Sequence, residues 1–307
     1  MPFEWSRWLL LGSILVGASP ALAHPGPSAA LRSLDERIAA TPNDVALRLR
    51  RAELRRSMGH PRDALADLRV ASRLDPTERE VWLEHALTLI DLGKPQAAER
   101  ELTRVIEAGP PHVRALAERA HLREADGRLE LARHDLDAAI AVDQALDLYL
   151  ARGHIDERLD HLDAAAAGYR EGLAALGPAV LLRLALADVE RRRGAHEQAL
   201  AVLDGLLAEN PSRADWVLRR ADVLQDAGLS EAATAERMRA LVLAHAAVQR
   251  RPTPLHRLVL AKAHLALGQR ERARKQLALV LEQAPALPEA RTMKAHLDES
   301  LAPQGPP

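Results

Sequence analysis

A spacing of 34 residues recurs along this chain of 307 residues. In each copy of the pattern a Gly is followed five residues later by an Ala, so that Gly59 and Ala64 return as Gly93 and Ala98. A period of this length is typical of helix-pair solenoids, in which each repeat buries its apolar face only by stacking on its neighbours. The sequence therefore predicts an all-α solenoid of about seven repeats. The Gly and Ala residues of the pattern are Gly59, Ala64, Gly93, Ala98, Gly127, Ala132, Ala165, Gly194, Ala199, Gly228, Ala233, Gly268 and Ala273.

Glycine and proline mark the helix ends inside each repeat. Gly59 is expected to close a first helix, because glycine adopts the left-handed backbone conformation that follows a helix. Pro76 is expected to end a second helix, since the residue before a proline avoids the helical conformation. Asp160 replaces the turn glycine of the fourth repeat, and six extra residues near Arg250 precede the seventh, so we expect weaker points there. The predicted repeats are 45–78, 79–112, 113–145, 146–179, 180–213, 214–253 and 254–287.

Short segments flank the repeats. Residues 24–44 are predicted to form an N-terminal half repeat that caps the array, residues 288–302 a C-terminal capping helix, and residues 303–307 a disordered tail. Terminal repeats need polar cover because they lack a neighbour on one side. Repeats and caps use nearly the whole chain and leave no segment large enough for a catalytic domain. We therefore expect a binding protein and not an enzyme.

The N-terminus has the features of a secretory signal peptide. Arg7 supplies positive charge, residues 8–16 form a short apolar run, and a small-x-small motif ends at Ala23. We expect cleavage after Ala23, which removes residues 1–23 and leaves His24 as the first residue of a periplasmic or secreted protein. The apolar run is shorter than the ~20 residues of a membrane-spanning helix, and no second run of this kind occurs, so no membrane span is expected after cleavage.

The composition argues against several kinds of site. The chain has no cysteine, which rules out disulfides and thiolate metal sites and suits an oxidising compartment. The formal net charge of −1 argues against a general nucleic-acid binder, which would be strongly basic. Aromatic residues make up only 2% of the chain, so stacking platforms for nucleic-acid bases are not expected either.

The second repeat carries the residues of a known pattern, which are Trp82, Ala86, Ala98, Leu102 and Pro110. Their spacing resembles the tetratricopeptide repeat (TPR) family, and the resemblance extends over residues 45–287. It implies a right-handed superhelix of antiparallel helix pairs, in which the first helices line a concave groove that takes up a peptide or protein segment. The tyrosine position of the family departs from the pattern and is filled by Arg55, Leu89, Arg123, Asp156, Glu190, Leu224 and His264.

The resemblance also assigns residues to the groove. A row of leucines at the fifth position of the repeats would present an apolar strip to an extended or amphipathic partner. The alternative is that these side chains pack against the neighbouring first helix and complete the core. In the second repeat, Leu87 and Ile90 extend the row at helical spacing. The groove candidates are Leu49, Leu83, Leu87, Ile90, Leu150, Leu184, Leu218 and Leu258.

Charged residues bear on two further hypotheses. Some TPR proteins grip the terminal carboxylate of a partner with Lys, Arg and Asn on the groove face, and this function is not expected here. The corresponding positions hold Glu53, His121, His154, Asp188 and Asp222.

A cluster of arginines on the first helix of the first repeat either docks an acidic partner or an anionic lipid, or forms a solvated face balanced by nearby Asp and Glu. The cluster consists of Arg48, Arg50, Arg51, Arg55 and Arg56.

Three functions are compatible with these features. The leading hypothesis is a non-catalytic, exported scaffold that binds a protein or peptide partner in its groove, without a cofactor and without nucleic acid. The second is a structural spacer of an envelope complex that self-associates into a homo-oligomer. The third is a carrier of a small ligand or a metal ion, for which His24 would offer an α-amine and an imidazole after cleavage; no other metal site is indicated.

Overall fold

The computed structural model describes residues 26–301, and all regular secondary structure in this range is α-helical. The expected signal peptide, His24 and the tail 303–307 lie outside the described residues. The helices are α1 (Pro27–Ala40), α2 (Val45–Ser57), α3 (Pro61–Leu74), α4 (Arg79–Asp91), α5 (Pro95–Glu107), α6 (Val113–Ala125), α7 (Leu129–Ile140), α8 (Leu146–Arg158), α9 (Leu162–Leu176), α10 (Val180–Arg192), α11 (His196–Glu209), α12 (Ala214–Asp226), α13 (Ser230–Arg250), α14 (Pro254–Ala266), α15 (Arg270–Gln283) and α16 (Pro288–Leu301).

The chain divides into two compact units, and the division falls inside α8, between Leu148 and Tyr149. Within unit 1, α2 packs on α3, α4 on α5, and α6 on α7. The second helix of each pair also contacts the first helix of the next pair, and α2 contacts α4 directly. Unit 2 repeats this arrangement from α9 to α16. The packing of consecutive helix pairs is that of an α-solenoid, as the 34-residue period predicts.

One residue with a positive φ forms the turn between the two helices of each pair. In six pairs this residue is a glycine with φ between 67° and 81°, which is the left-handed region that favours glycine. At Gly93 the turn is closed by hydrogen bonds from the Gly93 amide to the Ile90 carbonyl at 2.9 Å and from the Lys94 amide to the Leu89 carbonyl at 2.9 Å. In the remaining pair Asp160 adopts the same conformation with φ 59°.

The alanine of each repeat lies where the second helix meets the first. A larger side chain at this position would hold the two helices apart, and the seven alanines are accordingly inaccessible to solvent. They are Ala64, Ala98, Ala132, Ala165, Ala199, Ala233 and Ala273.

The six extra residues before the last repeat lengthen one helix. α13 runs for 21 residues without a break, and Pro252 follows shortly after its end at Arg250. None of the described helices combines the length and the apolar character needed to cross a membrane.

Candidate functional site

The leucine row predicted from the sequence is divided between core and surface. Leu83 and Leu87 are each 4% exposed and belong to a core cluster together with Leu102. Leu218 and Leu258 are also buried. Burial at these four positions agrees with the alternative that the side chains complete the core. The remaining candidates are half-buried, namely Leu49, Ile90, Leu150 and Leu184.

Unit 2 contains a concave groove with a volume of about 920 Å³, lined by residues of α10, α12, α14 and α16. Leu218 and Leu258 from the leucine row reach its floor, beside Val259 and Ala266. Leu255, one helical turn before Val259, also lines the groove and is 64% exposed. The groove thus offers an apolar surface that no described residue of unit 2 covers.

Charged residues surround this apolar surface, and nearly all of them are paired. Two ion pairs join α10 to α12, one joins α14 to α16, and one lies at the N-terminal end of α12. The side chains of the three interhelical pairs are 34–51% exposed. The pairs are Arg219 with Asp188, Arg191 with Asp226 at 2.5 Å, Lys262 with Glu289 at 2.5 Å, and Arg213 with Asp215 at 2.7 Å.

Asp222 is the exception among the charged lining residues of the groove. Its carboxylate has neither a hydrogen bond nor an ion pair with any residue that the structure describes. Burial raises the pKa of the Asp222 carboxyl, and the charges of Asp226 and Asp188 act in the same direction. Arg191 and Arg237 lower this pKa, but burial prevails. The Asp222 side chain is nevertheless exposed to solvent, so water meets its carboxylate.

Unit 1 contains a second groove, with a volume of about 700 Å³, lined by residues of α1, α2, α4 and α6. Arginines outnumber carboxylates among the residues that line this groove. Arg56 is paired with the buried Glu84, and Arg50 with Glu53 at 2.9 Å. Arg37 and Arg114 also line the groove and are exposed. Burial raises the pKa of the Glu84 carboxyl, against the opposing hydrogen bond from Arg56.

Comparisons with known proteins show which solved structures have a similar fold. No protein-family model matches the sequence, and no curated protein matches it at a significant level. Among solved structures, the fold matches a tetratricopeptide repeat protein from Parabacteroides merdae with a TM-score of 0.57 and 19% identity, over 87% of this chain and 99% of that chain. It matches yeast Tom70 with a TM-score of 0.58 and 15% identity, over 89% of this chain and 58% of that chain.

The chain has the tetratricopeptide-repeat fold. A third TPR protein, YrrB, is similar with a TM-score of 0.50 and 15% identity, over 60% of this chain and 95% of that chain, and is described as having an unusual peptide-binding site.

In the first and third repeats an arginine that pairs with a buried carboxylate takes the place of the tyrosine of the TPR pattern. Arg55 occupies the tyrosine position and donates to Asp67 at 2.8 Å, while Arg51 donates to the same carboxylate at 2.5 Å. Asp67 is only 3% exposed, so both arginines neutralise a carboxylate inside the helix pair. The third repeat has the same arrangement, in which Asp135 accepts from Arg119 at 2.7 Å and from Arg123 at 2.8 Å.

The arginine cluster on α2 is therefore largely used inside the protein. Arg51 and Arg55 bind Asp67, Arg56 binds Glu84, and Arg48 donates to the carbonyl of Pro42 at 2.6 Å. Of the hypotheses made from sequence, the balanced face describes this cluster better than an anion-docking surface. Its signal was present in the sequence: Arg at two positions four residues apart and Asp 16 residues after the first recur 68 residues later.

Within residues 26–301, the structure brings no three His, Asp or Glu side chains together in a geometry that could hold a metal ion. His264 is 3% exposed, donates a 2.8 Å hydrogen bond from Nδ1 to Oε1 of Gln269, and packs against His245 in an edge-to-face arrangement with ring centroids 5.4 Å apart. Burial lowers the pKa of its imidazole. His264 is therefore a core histidine of the last TPR unit.

Proposed function

We propose that the protein is a non-catalytic scaffold that takes up an extended peptide or protein segment in the unit 2 groove. The observation that carries the proposal is the apolar side of this groove, where Leu255 is 64% exposed beside the half-buried Val259 and Ala266. A concave site of about 920 Å³ with an apolar floor and a few polar groups has the size and the character of ligand sites in general. The peptide-binding site named for YrrB supports the proposal by likeness of fold.

The ion pairs of the groove walls support the same function. They connect α10 to α12 and α14 to α16, and as exposed ion pairs each adds at most about 1 kcal/mol to the stability of the groove walls. A preformed surface loses little conformational entropy on binding, so more of the contact energy is available as affinity. The concave face of a helix-pair array therefore suits the capture of a flexible segment.

Export to the periplasm or the outside of the cell is part of the proposal. Its support is the sequence of residues 1–23 and the absence of cysteine from the chain. The intact mass of the protein recovered from its native cells tests this part. A mass that corresponds to a chain beginning at His24 agrees with export, and a full-length chain in the cytoplasm contradicts it.

The binding function is tested with a phage-displayed library of random 12-residue peptides selected on the purified protein. Affinities of the selected peptides are then measured by fluorescence anisotropy. Leu255→Glu should weaken binding at least 10-fold, because burying a leucine side chain contributes about 1.5–3 kcal/mol and the variant places a charge on the apolar floor. Leu255 is exposed in the free protein, so the variant should fold normally.

Val242→Glu is the matched control for this experiment. Val242 is 68% exposed, lies on α13 and does not line the groove. It should leave peptide affinity unchanged. A library that yields no binder, or an equal loss in both variants, contradicts the proposed function.

A further inference from the structure

A buried histidine lies where three helices of unit 2 meet. His264 on α14 is 3% exposed, and its ring packs edge-to-face against His245 on α13 with ring centroids 5.4 Å apart. Its Nδ1 donates to Oε1 of Gln269, the N-cap residue of α15, at 2.8 Å. Its backbone carbonyl accepts a hydrogen bond from the Gln269 amide at 2.9 Å. The imidazole therefore joins α13, α14 and the turn to α15.

The surroundings of His264 do not favour a positive charge. Because Nδ1 already carries a proton, a second proton would be added at Nε2 and would make the ring an imidazolium. The charges that act on the ring are those of His245 and Arg272, and both oppose its protonation. Among the residues that the structure describes, no charged residue of α14 itself, or of α12, which also contacts α14, acts on it. A buried charge without a partner is costly.

The same position of other repeats holds ionisable residues whose charges are balanced. Arg55 and Arg123 each bind a buried carboxylate, and Glu190 accepts from two arginines. His264 differs from these three residues, because it can gain a charge that no described carboxylate balances. In the second and sixth repeats the position is occupied by a buried leucine, namely Leu89 and Leu224.

We propose that His264 is a pH switch, in which protonation of its imidazole loosens the packing of α14 against α13 and α15 and opens the last helix pair. At neutral pH the uncharged ring completes this packing. In acid the imidazolium is repelled by His245 and Arg272 and is more stable in water, so the open form becomes more populated. Because α14 also lines the unit 2 groove, a bound segment would be held less tightly in acid. This last consequence rests on the proposed function, whereas the opening is a property of the free protein.

The pH range of the switch follows from the burial of the ring. Burial lowers the pKa of the His264 imidazole from its ordinary value of 6.5. The hydrogen bond with Gln269 opposes this effect, and the charges of His245 and Arg272 add to it. The open form has the ordinary pKa and therefore binds a proton at a higher pH than the packed form. The packing is thus fully stable above pH 6.5 and loses stability as the pH falls below this value.

Hydrogen exchange of the free protein at pH 7.5 and 5.0, corrected for the intrinsic pH dependence of exchange, tests the switch. Protection of α14 and α15 should fall about 10-fold or more at pH 5.0, because an unbalanced charge in a core favours local opening. Protection of α2 and α3, whose buried carboxylate is already paired, should change little. His264→Leu should abolish the loss, and its leucine has precedents at the same position of two other repeats.

His296→Gln is the matched control, because His296 is an exposed histidine on α16, and this variant should keep the loss of protection. Equal protection of α14 and α15 at both pH values, or a loss that persists in His264→Leu, overturns the switch. If His264→Leu does not fold, an NMR titration of the wild-type protein decides. Protonation of the His264 ring should then change the amide signals of α13 to α15, and unchanged signals overturn the proposal. Neither result bears on the proposed function, because no peptide is present.

Discussion

Asp222 has an energetic cost in the free protein that follows from its surroundings. Burial raises the pKa of its carboxyl above the ordinary value of 3.8, so the folded state binds a proton more readily than the unfolded chain. Between 3.8 and the raised pKa the folded protein therefore holds more protons, and its stability falls as the pH rises through this window. Because the Asp222 side chain is exposed, solvent screens this effect, and the ionised carboxylate destabilises the fold only slightly at neutral pH.

We expect Asp222→Asn to be more stable than the wild-type protein at pH 7. The gain should shrink as the pH is lowered towards 3.8, because the wild-type carboxyl then becomes protonated and loses its charge. Urea unfolding followed by circular dichroism at pH 7, 5 and 4 measures the difference. Asp63→Asn, an exposed carboxylate on α3 outside both grooves, serves as the control. A lower stability of Asp222→Asn at pH 7 would show that the carboxylate has a partner in the protein.

At the scale of the helix, two glycines in unit 2 have opposite roles. A Cβ at Gly153 on α8 would lie 2.2 Å from Cε1 of Tyr169 on α9, which is far inside van der Waals contact. The ring of Tyr169 is 2% exposed, and its hydroxyl donates to Glu157 at 2.7 Å, so it has no room to move aside. Gly205 on α11 differs, because its Cβ would meet only the flexible end of Arg183 at 3.0 Å.

Gly153→Ala should therefore destabilise the protein by about 1–3 kcal/mol, the usual cost of overpacking a core. Gly205→Ala should be neutral or stabilising by up to about 1 kcal/mol, since alanine favours the helix over glycine. Urea unfolding of the two variants side by side gives both values. Equal effects would mean that α8 and α9 can separate to accommodate a methyl group.

The helices were more predictable than the partners of their side chains. Each first helix from α2 to α14 begins at the first residue of a predicted repeat, because glycine, proline and the buried alanines act locally on the backbone. The pairing of Asp67 with Arg51 and Arg55 depends on how two helices meet, which spacing along one helix does not reveal. The same holds for Leu83 and Leu87, whose positions on α4 are compatible with either groove or core until the neighbouring pair is placed.

At the scale of the whole chain, stability is a sum of contacts between neighbouring helix pairs. Such a chain opens first where a local contact is weakest. The turn at Asp160 is the one pair turn that places a non-glycine residue at positive φ. Both turn hydrogen bonds are kept, from the Asp160 amide to the Glu157 carbonyl at 3.2 Å and from the His161 amide to the Asp156 carbonyl at 2.8 Å. The positive φ of a non-glycine residue is therefore the feature that indicates a less stable turn.

Hydrogen exchange should consequently be faster at the Asp160 turn than at the six glycine turns when the intact protein is followed by mass spectrometry. Asp160→Gly should slow exchange there and stabilise the protein by on the order of 1 kcal/mol, because glycine adopts the left-handed conformation without steric cost. Gly194→Asp, which makes the reverse change in the next pair, should transfer the fast exchange to that turn. Uniform protection of all seven turns would mean that neighbouring pairs, and not the turn residue, control local opening.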